Sequence, residues 1–184
     1  MRHIMIDIET MGSQANAAII SVGLAEFNPK SGEITRQTEI RNTFEAQRVE
    51  GRHFDPSTVE WWLRQSREAQ QALLANPRHP TAAEMMTEVR DWILEAHSSQ
   101  WERGMWAKGP TFDLKLMRHH YEELGITCPW HFSREYCVRT MLMIAKANGW
   151  DDVLAMEPEV AHGALSDSIH QARQVMEVMS RLKR

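Results

Sequence analysis

Apolar positions in the N-terminal part of the chain follow strand patterns, and from Asp55 onward they recur mostly at helical spacing. The stretch from Arg2 to Ile8 has Ile or Met at 4, 5, 6 and 8 and no helix breaker. That predicts a strand buried on both faces, and so central in a sheet. A second apolar run covers Ala17 to Asn28, Asn28-Pro29-Lys30-Ser31-Gly32 is dense in turn formers, and Glu33 to Arg41 alternates polar and apolar residues. Together these predict a hairpin, so that three strands in a row begin the fold. The stretch from Arg41 to Asp55 has no clear period and is expected to be the most mobile.

Asp55-Pro56-Ser57 is a helix start signal, followed by Val59, Trp62 and Leu63 at helical spacing. Pro77 and Pro80 bracket a short break, after which Ala82 to His97 carries Met85, Met86, Val89, Trp92, Ile93 and Ala96 on one stripe. Trp101 to Lys108 supplies a fourth strand, and Pro110-Thr111 opens a helix containing Leu114, Leu116 and Met117. Phe132 to Tyr136 fits a fifth strand, followed by a helix from Cys137 to Ala147 that stops at Asn148-Gly149. A last helix runs from about Leu165 to the end. Three sequential strands followed by alternating helices and strands predict one α/β domain without repeats or linkers.

Composition narrows the classes of function. With 42% hydrophobic and 25% charged residues the chain lies far from the disordered regime and should fold. No apolar stretch approaches the roughly 18 residues of a membrane span, and Arg2 and His3 lead into acidic Asp7 and Glu9 rather than into an apolar signal core. Secretion and membrane association are therefore not expected. Cys128 and Cys137 lack the paired spacing of a zinc site and the density of a disulfide scaffold, so reduced thiols in a cytoplasm are expected. A net charge of −4 argues against a broad basic surface that coats duplex nucleic acid, while leaving room for a local site.

The candidate chemistry is acidic. Asp7 and Glu9 stand two apart at the end of the first strand, where the period of two puts both side chains on one face. Alone the pair is ordinary, but carboxylates at the end of a buried strand need compensation for lost water, and divalent cations are the usual one. Asp113 lies in the first turn of its helix, where it would in any case complement the dipole. His162 sits on a loop beside Gly163, five residues before Asp167, which starts the last helix.

The segments Asp7-Ile8-Glu9-Thr10, Phe112-Asp113 and His162 followed after four residues by Asp167 form an ordered set. In order and spacing it resembles the DEDDh family of 3′-to-5′ exonucleases, and within it the phage DexA-like enzymes, through Ile6-Asp7-Ile8-Glu9-Thr10-Met11-Gly12, Glu60-Trp61-Trp62 and Asp167-Ser168-Ile169-His170. The resemblance covers nearly the whole chain. It implies an RNase H-like fold, a mixed five-stranded sheet flanked by helices, with residues 1–184 as a single 3′-to-5′ exonuclease domain. It further implies two divalent cations, Mg2+ or Mn2+, held by Asp7, Glu9, Asp113 and Asp167, with Asp7 bridging both ions.

Hydrolysis of a phosphodiester needs a nucleophile near neutral pH and relief of the charge on the leaving 3′ oxygen, and two ions about 4 Å apart can serve both needs. Hard carboxylate oxygens suit Mg2+ or Mn2+. His162 is the candidate general base, because an imidazole titrates near physiological pH. His170, three residues past Asp167, is expected either to hydrogen-bond behind the carboxylates or to be a plain surface residue. His53, His79, His97, His119 and His120 have no partner at motif spacing and read as structural or exposed.

An acidic chain must grip its substrate largely by stacking, worth about 1 to 3 kcal/mol per base. At the positions of Met11 and Phe112 members of that family pack or wedge against terminal bases, a core role being the alternative for both, and backbone and small side chains near Glu9 to Gly12, Thr10 among them, lie beside the sugar. Trp61 and Trp62 point about 100° apart on a helix, which assigns Trp62 to the core with Val59 and Leu63 and Trp61 to the substrate groove. Lys108 and Arg103, flanking the fourth strand, are phosphate-contact candidates, although each reads better as a solvated charge. Many DEDDh enzymes carry Asn four residues before the second-motif Asp, where this chain has Gly109.

The expected substrate is the 3′ end of single-stranded nucleic acid, DNA first. The alternatives are an exoribonuclease of RNase T or oligoribonuclease type, acting on RNA, and a non-catalytic subunit that binds nucleic-acid ends. A homodimer is compatible with the seven tryptophans, and the expected setting is a cytoplasm, bacterial or phage-encoded.

Overall fold

A computed structural model describes residues 1–75, 79, 81–159 and 162–182. The expected break between Pro77 and Pro80 lies outside the described residues. Five strands, β1 (Arg2–Thr10), β2 (Ile19–Asn28), β3 (Glu33–Arg41), β4 (Arg103–Ala107) and β5 (Glu135–Cys137), form one sheet in the order β3-β2-β1-β4-β5. β1 is central as expected, pairing antiparallel with β2 and parallel with β4, while β5 continues the parallel half. This is the mixed five-stranded RNase H-like arrangement.

The period of two along β1 sorts its side chains between two cores. Ile4, Ile6 and Ile8 point into a cluster with Met85, Met86, Val89 and Ile93 of α4 (Ala82–Ala96) and Leu114, Leu116 and Met117 of α5 (Asp113–Glu123). Met5 joins Ala25, Phe27 and Trp106 under Val138 of α6 (Val138–Ala147) and Ala172, Val175 and Met176 of α8 (Ala164–Arg181). Asp7 and Glu9 share the face of Met5, so the end of β1 delivers two carboxylates beneath α8.

Some expectations change at the level of local detail. The stretch from Arg41 to Asp55 holds a short helix, α1 (Phe44–Val49), capped by the Thr43 side chain, which accepts from the Ala46 N–H. It lacks an apolar stripe, so the pattern gave no signal for it. Phe132–Arg134 is a 3-10 turn that precedes a β5 of three residues. In α2 (Pro56–Leu63) Trp62 is buried, but Val59 and Leu63 face solvent, so the helix is anchored by the tryptophan and not by a stripe. Met11, Ala18, Ile20 and Trp62 form a satellite core with Ala69 and Leu73 of α3 (Arg67–Leu74). The last two helical segments are α7 (Asp151–Leu154) and α8. Both cysteines are free thiols, and among the described residues no helix is long and apolar enough to cross a membrane.

Candidate active site

Register decides which groups meet at the end of β1. Asp7 lies opposite Gly23 of β2, and Glu9 opposite Ser21, before a bulge at Thr10. Gly23 is essential to the geometry, because a Cβ built there would fall inside the Ala164 carbonyl and the Leu165 amide. Its bare Cα lets the first turn of α8 settle on the sheet, which carries Asp167 to Asp7 and Glu9. Sequence reasoning had no signal for this, since a lone strand glycine usually marks a bulge or a close approach without saying of what. Gly23→Ala should cost about 3 kcal/mol or more by forcing α8 outward, a loss readable as a lowered thermal midpoint. An unchanged midpoint would show that α8 does not need this approach.

Oxygens of Asp7, Glu9 and Asp167 all lie within 4.8 Å of one another. Asp113 is outside this trio but near enough to repel both Asp7 and Glu9. It opens α5, and its carboxyl accepts hydrogen bonds from the backbone N–H groups of Asp113 itself and of Ile8, which tie it to β1. The cleft over these groups is about 400 Å³ and is lined by Asp7, Glu9, Lys108, Phe112, Asp113 and His162 among others. That volume suits one nucleotide-sized ligand.

The carboxylates are held where charge is unfavourable. Burial pushes Glu9 up to about 8, helped by the charges of Asp167 and Asp113. Asp7 is raised well above the usual carboxylate range by burial and by Glu9, Asp113 and Asp167. Asp113 is raised to about 6, mainly by burial, and Asp167 is raised for the same reason. A cluster that holds its charge so reluctantly is suited to a ligand that supplies positive charge. Its donors are all hard oxygens, which fits Mg2+ or Mn2+ better than softer ions.

The group that steadies Asp7 is Gln171, whose Nε2 donates to Asp7 Oδ1 at 2.8 Å. Gln171 follows Asp167 by four and so shares its helix face; that spacing was the available signal, although it does not separate 171 from 170. His170 is no surface residue: it is buried, its pKa lowered by desolvation, and it makes no hydrogen bond to a described residue. Arg103 is no phosphate contact, since it is buried and its Nη1 donates to the His97 carbonyl. Lys108 remains exposed at the cleft rim. His120 is structural, its Nε2 lying 2.9 Å from the Ala17 carbonyl.

His162 closes the cleft from the α2 side. Its backbone is in the left-handed region at φ 60°, and its N–H donates to Asp167 Oδ2 at 3.0 Å. Its ring meets Trp61 edge-on, centroids 4.9 Å apart, and Trp61 is itself exposed, as its helical position predicts. Trp62 Nε1 donates to the Thr10 carbonyl at 3.1 Å, pinning α2 to the end of β1 and so fixing where Trp61 stands. Thr10 Oγ1 donates to the Gly12 carbonyl at 2.7 Å, so the hydroxyl serves the turn. Met11 is buried in the satellite core, and Phe112 packs against the main core at its edge while lining the cleft.

A profile of the 3′-5′ exoribonuclease Rv2179c-like domain family matches residues 2–179. The exodeoxyribonuclease of Enterobacteria phage T4 is 29% identical over 119 residues, which cover 61% of this chain and 52% of that protein. The chain thus spans about half the length of that relative. Among solved structures, the nuclease domain of 3′hExo, described as a DEDDh family member bound to rAMP, superposes with a TM-score of 0.65 at 14% identity, covering 98% of this chain and 92% of that one. The zinc-bound E. coli ExoI–ssDNA complex gives 0.73 at 11% identity, covering all of this chain and 41% of that one. At such identities the two structures establish the shared fold.

Proposed function

The chain belongs to the family of the 3′-5′ exoribonuclease Rv2179c-like domain, and on that premise we propose that it is a metal-dependent 3′-5′ exonuclease releasing nucleoside 5′-monophosphates from single-stranded ends. The observation that carries the reading is the convergence of Asp7, Glu9 and Asp167 within 4.8 Å at the end of the central strand, with Asp113 alongside. Three carboxylates crowded together with raised pKa values make a poor structural feature and a good cation cage.

Asp7, Glu9 and Asp167 would hold one divalent ion, and Asp7 with Asp113 a second. Such ions, when bound, provide a nucleophile at neutral pH and neutralise charge on the leaving 3′ oxygen. The protein's own groups do the rest. Gln171 holds Oδ1 of Asp7 and so restrains its rotamer. His162, at the cleft wall, would take the proton of the attacking water. Phe112, which lines the cleft, and the exposed Trp61 beside His162 would stack on the terminal nucleoside, and the Thr10–Gly12 turn would lie toward its sugar.

The family description favours RNA as substrate, and the full-length match gives it more weight than the partial likeness to the T4 exodeoxyribonuclease; DNA is the second reading, carried by that relative. Either way single strands should be preferred, since a chain of net charge −4 has little to hold a duplex against salt. The test uses RNA and DNA oligomers of equal sequence, single-stranded and duplex, with Mg2+ or Mn2+. Shortening from the 3′ end that stops on adding chelator is expected, with RNA consumed faster than DNA. Degradation that survives chelator or starts at the 5′ end would sink the exonuclease reading, and a blunt-duplex preference would sink the single-strand part.

A further inference from the structure

Beside the carboxylates stands a cation to which the reading above gives no task. β4 and β5 run parallel with Ala107 opposite Cys137. Two residues beyond each, the chain reaches Gly109 and Arg139, so the register alone brings these two together. They touch closely: a Cβ built on Gly109 would lie 2.7 Å from Arg139 Nη1, 3.1 Å from Cζ and 3.4 Å from Nη2. The guanidinium therefore rests on the bare Cα of the β4–α5 loop, and Gly109, at φ 133°, holds a conformation that other residues rarely adopt.

Arg139 is exposed and makes no hydrogen bond or ion pair with a described residue. Its charge is nevertheless felt at Asp113, and that of Lys108 at Asp167 and His170. In an acidic protein, two uncommitted cations thus stand on the β4–β5 side of the carboxylates. The opposite side, toward α2, is walled by His162, with the rings of Trp61 and Trp62 packed against it. With a terminal nucleoside against that wall, the β4–β5 side, where the two cations stand, is open to the rest of the strand. A planar guanidinium with its donors free fits a phosphate diester in two-pronged fashion.

We propose that Arg139, seated on Gly109 and seconded by Lys108, grips the strand phosphate one nucleotide upstream of the scissile bond. The assignment rests on the exonuclease reading for the identity of the strand. It also explains the glycine four residues before Asp113, because any larger side chain there would displace the guanidinium.

The test compares wild type, Arg139→Ala, Arg139→Lys and Gly109→Ala on two substrates. One is a short single-stranded oligomer. The other is the p-nitrophenyl ester of thymidine 5′-monophosphate, which has a scissile phosphate and no upstream one. Arg139→Ala should raise KM for the oligomer about tenfold with kcat nearly constant, the size of one charge-assisted hydrogen-bonded contact. Its hydrolysis of the ester should change less than twofold. Arg139→Lys should recover part of the loss, and Gly109→Ala should reproduce it with the charge still present. Binding of a fluorescent oligomer in Ca2+, read by anisotropy, should weaken about tenfold in Arg139→Ala, with a shallower salt dependence. Unchanged oligomer KM and binding, or an equal loss on both substrates, would overturn the assignment. If wild type binds the oligomer but hydrolyses neither substrate in Mg2+ or Mn2+, the exonuclease reading fails, while the anisotropy still decides the role of Arg139.

Discussion

Asp7→Asn is expected to lower exonuclease turnover about 1,000-fold or more while making the metal-free protein more stable. The activity loss follows because a neutral amide would hold divalent cations far more weakly than the carboxylate, and several kcal/mol of charge stabilisation in the transition state corresponds to that factor. The substitution is isosteric and keeps an oxygen for the Gln171 donor, so the fold has no reason to change. The gain in stability comes from the same crowding. Asp7, Glu9, Asp113 and Asp167 all have raised pKa values in the folded chain, so between their unfolded and folded values the native state holds protons that the unfolded state has released. By linkage, stability without metal falls as pH rises from about 4. The decline continues through the values near 6 for Asp113 and near 8 for Glu9. The expected rise in melting midpoint for Asp7→Asn is a few degrees, larger at pH 8 than at pH 5. Added Mg2+ should raise the wild-type midpoint most at the alkaline end and the mutant's little. Wild-type turnover by Asp7→Asn would remove the cation mechanism, and a midpoint lowered at pH 8 would make Asp7 a structural residue.

Replacing His162 is expected to lower turnover by about 100-fold, the ordinary worth of a positioned general base, without altering the metal concentration for half-maximal activity. The choice of substitution matters, because His162 sits at φ 60° and its N–H holds Asp167. His162→Asn tolerates that backbone conformation and keeps the amide in place, whereas Ala would add strain to the loss of the imidazole. Asp167→Asn should show the opposite signature, weakened metal binding, because an anionic oxygen leaves the trio. A metal titration of both variants separates the roles. If His162→Asn shifts metal affinity as far as Asp167→Asn does, His162 is a ligand and another group must take the proton.

The members of this site differ in how far the sequence could find them, and the difference is physical. Asp7 and Glu9 were legible as a pair because strand geometry is local: a spacing of two fixes a shared face wherever the strand goes. Trp61 was separated from Trp62 by the 100° step of a helix, which is equally local. The stripe assigned to Val59 and Leu63 failed because α2 is anchored at its tryptophan and by the Trp62–Thr10 hydrogen bond, contacts made outside the helix. Gln171 was within reach of the i, i+4 rule, but nothing in the sequence says that its partner is a residue 164 positions away.

By itself the sequence determined the central strand, the hairpin, the two carboxylates on one face, the motif order and the family that order implies, since each depends on spacing along a single element. The tertiary structure decided what meets across elements. The bare Cα of Gly23 sets how near α8 can come, and with it whether Asp167 reaches Asp7. The β4–β5 register sets Arg139 on Gly109. The raised pKa values of the carboxylates likewise exist only once the sheet and helices have excluded water from them, because desolvation and mutual repulsion depend on distances in space that chain separation does not encode.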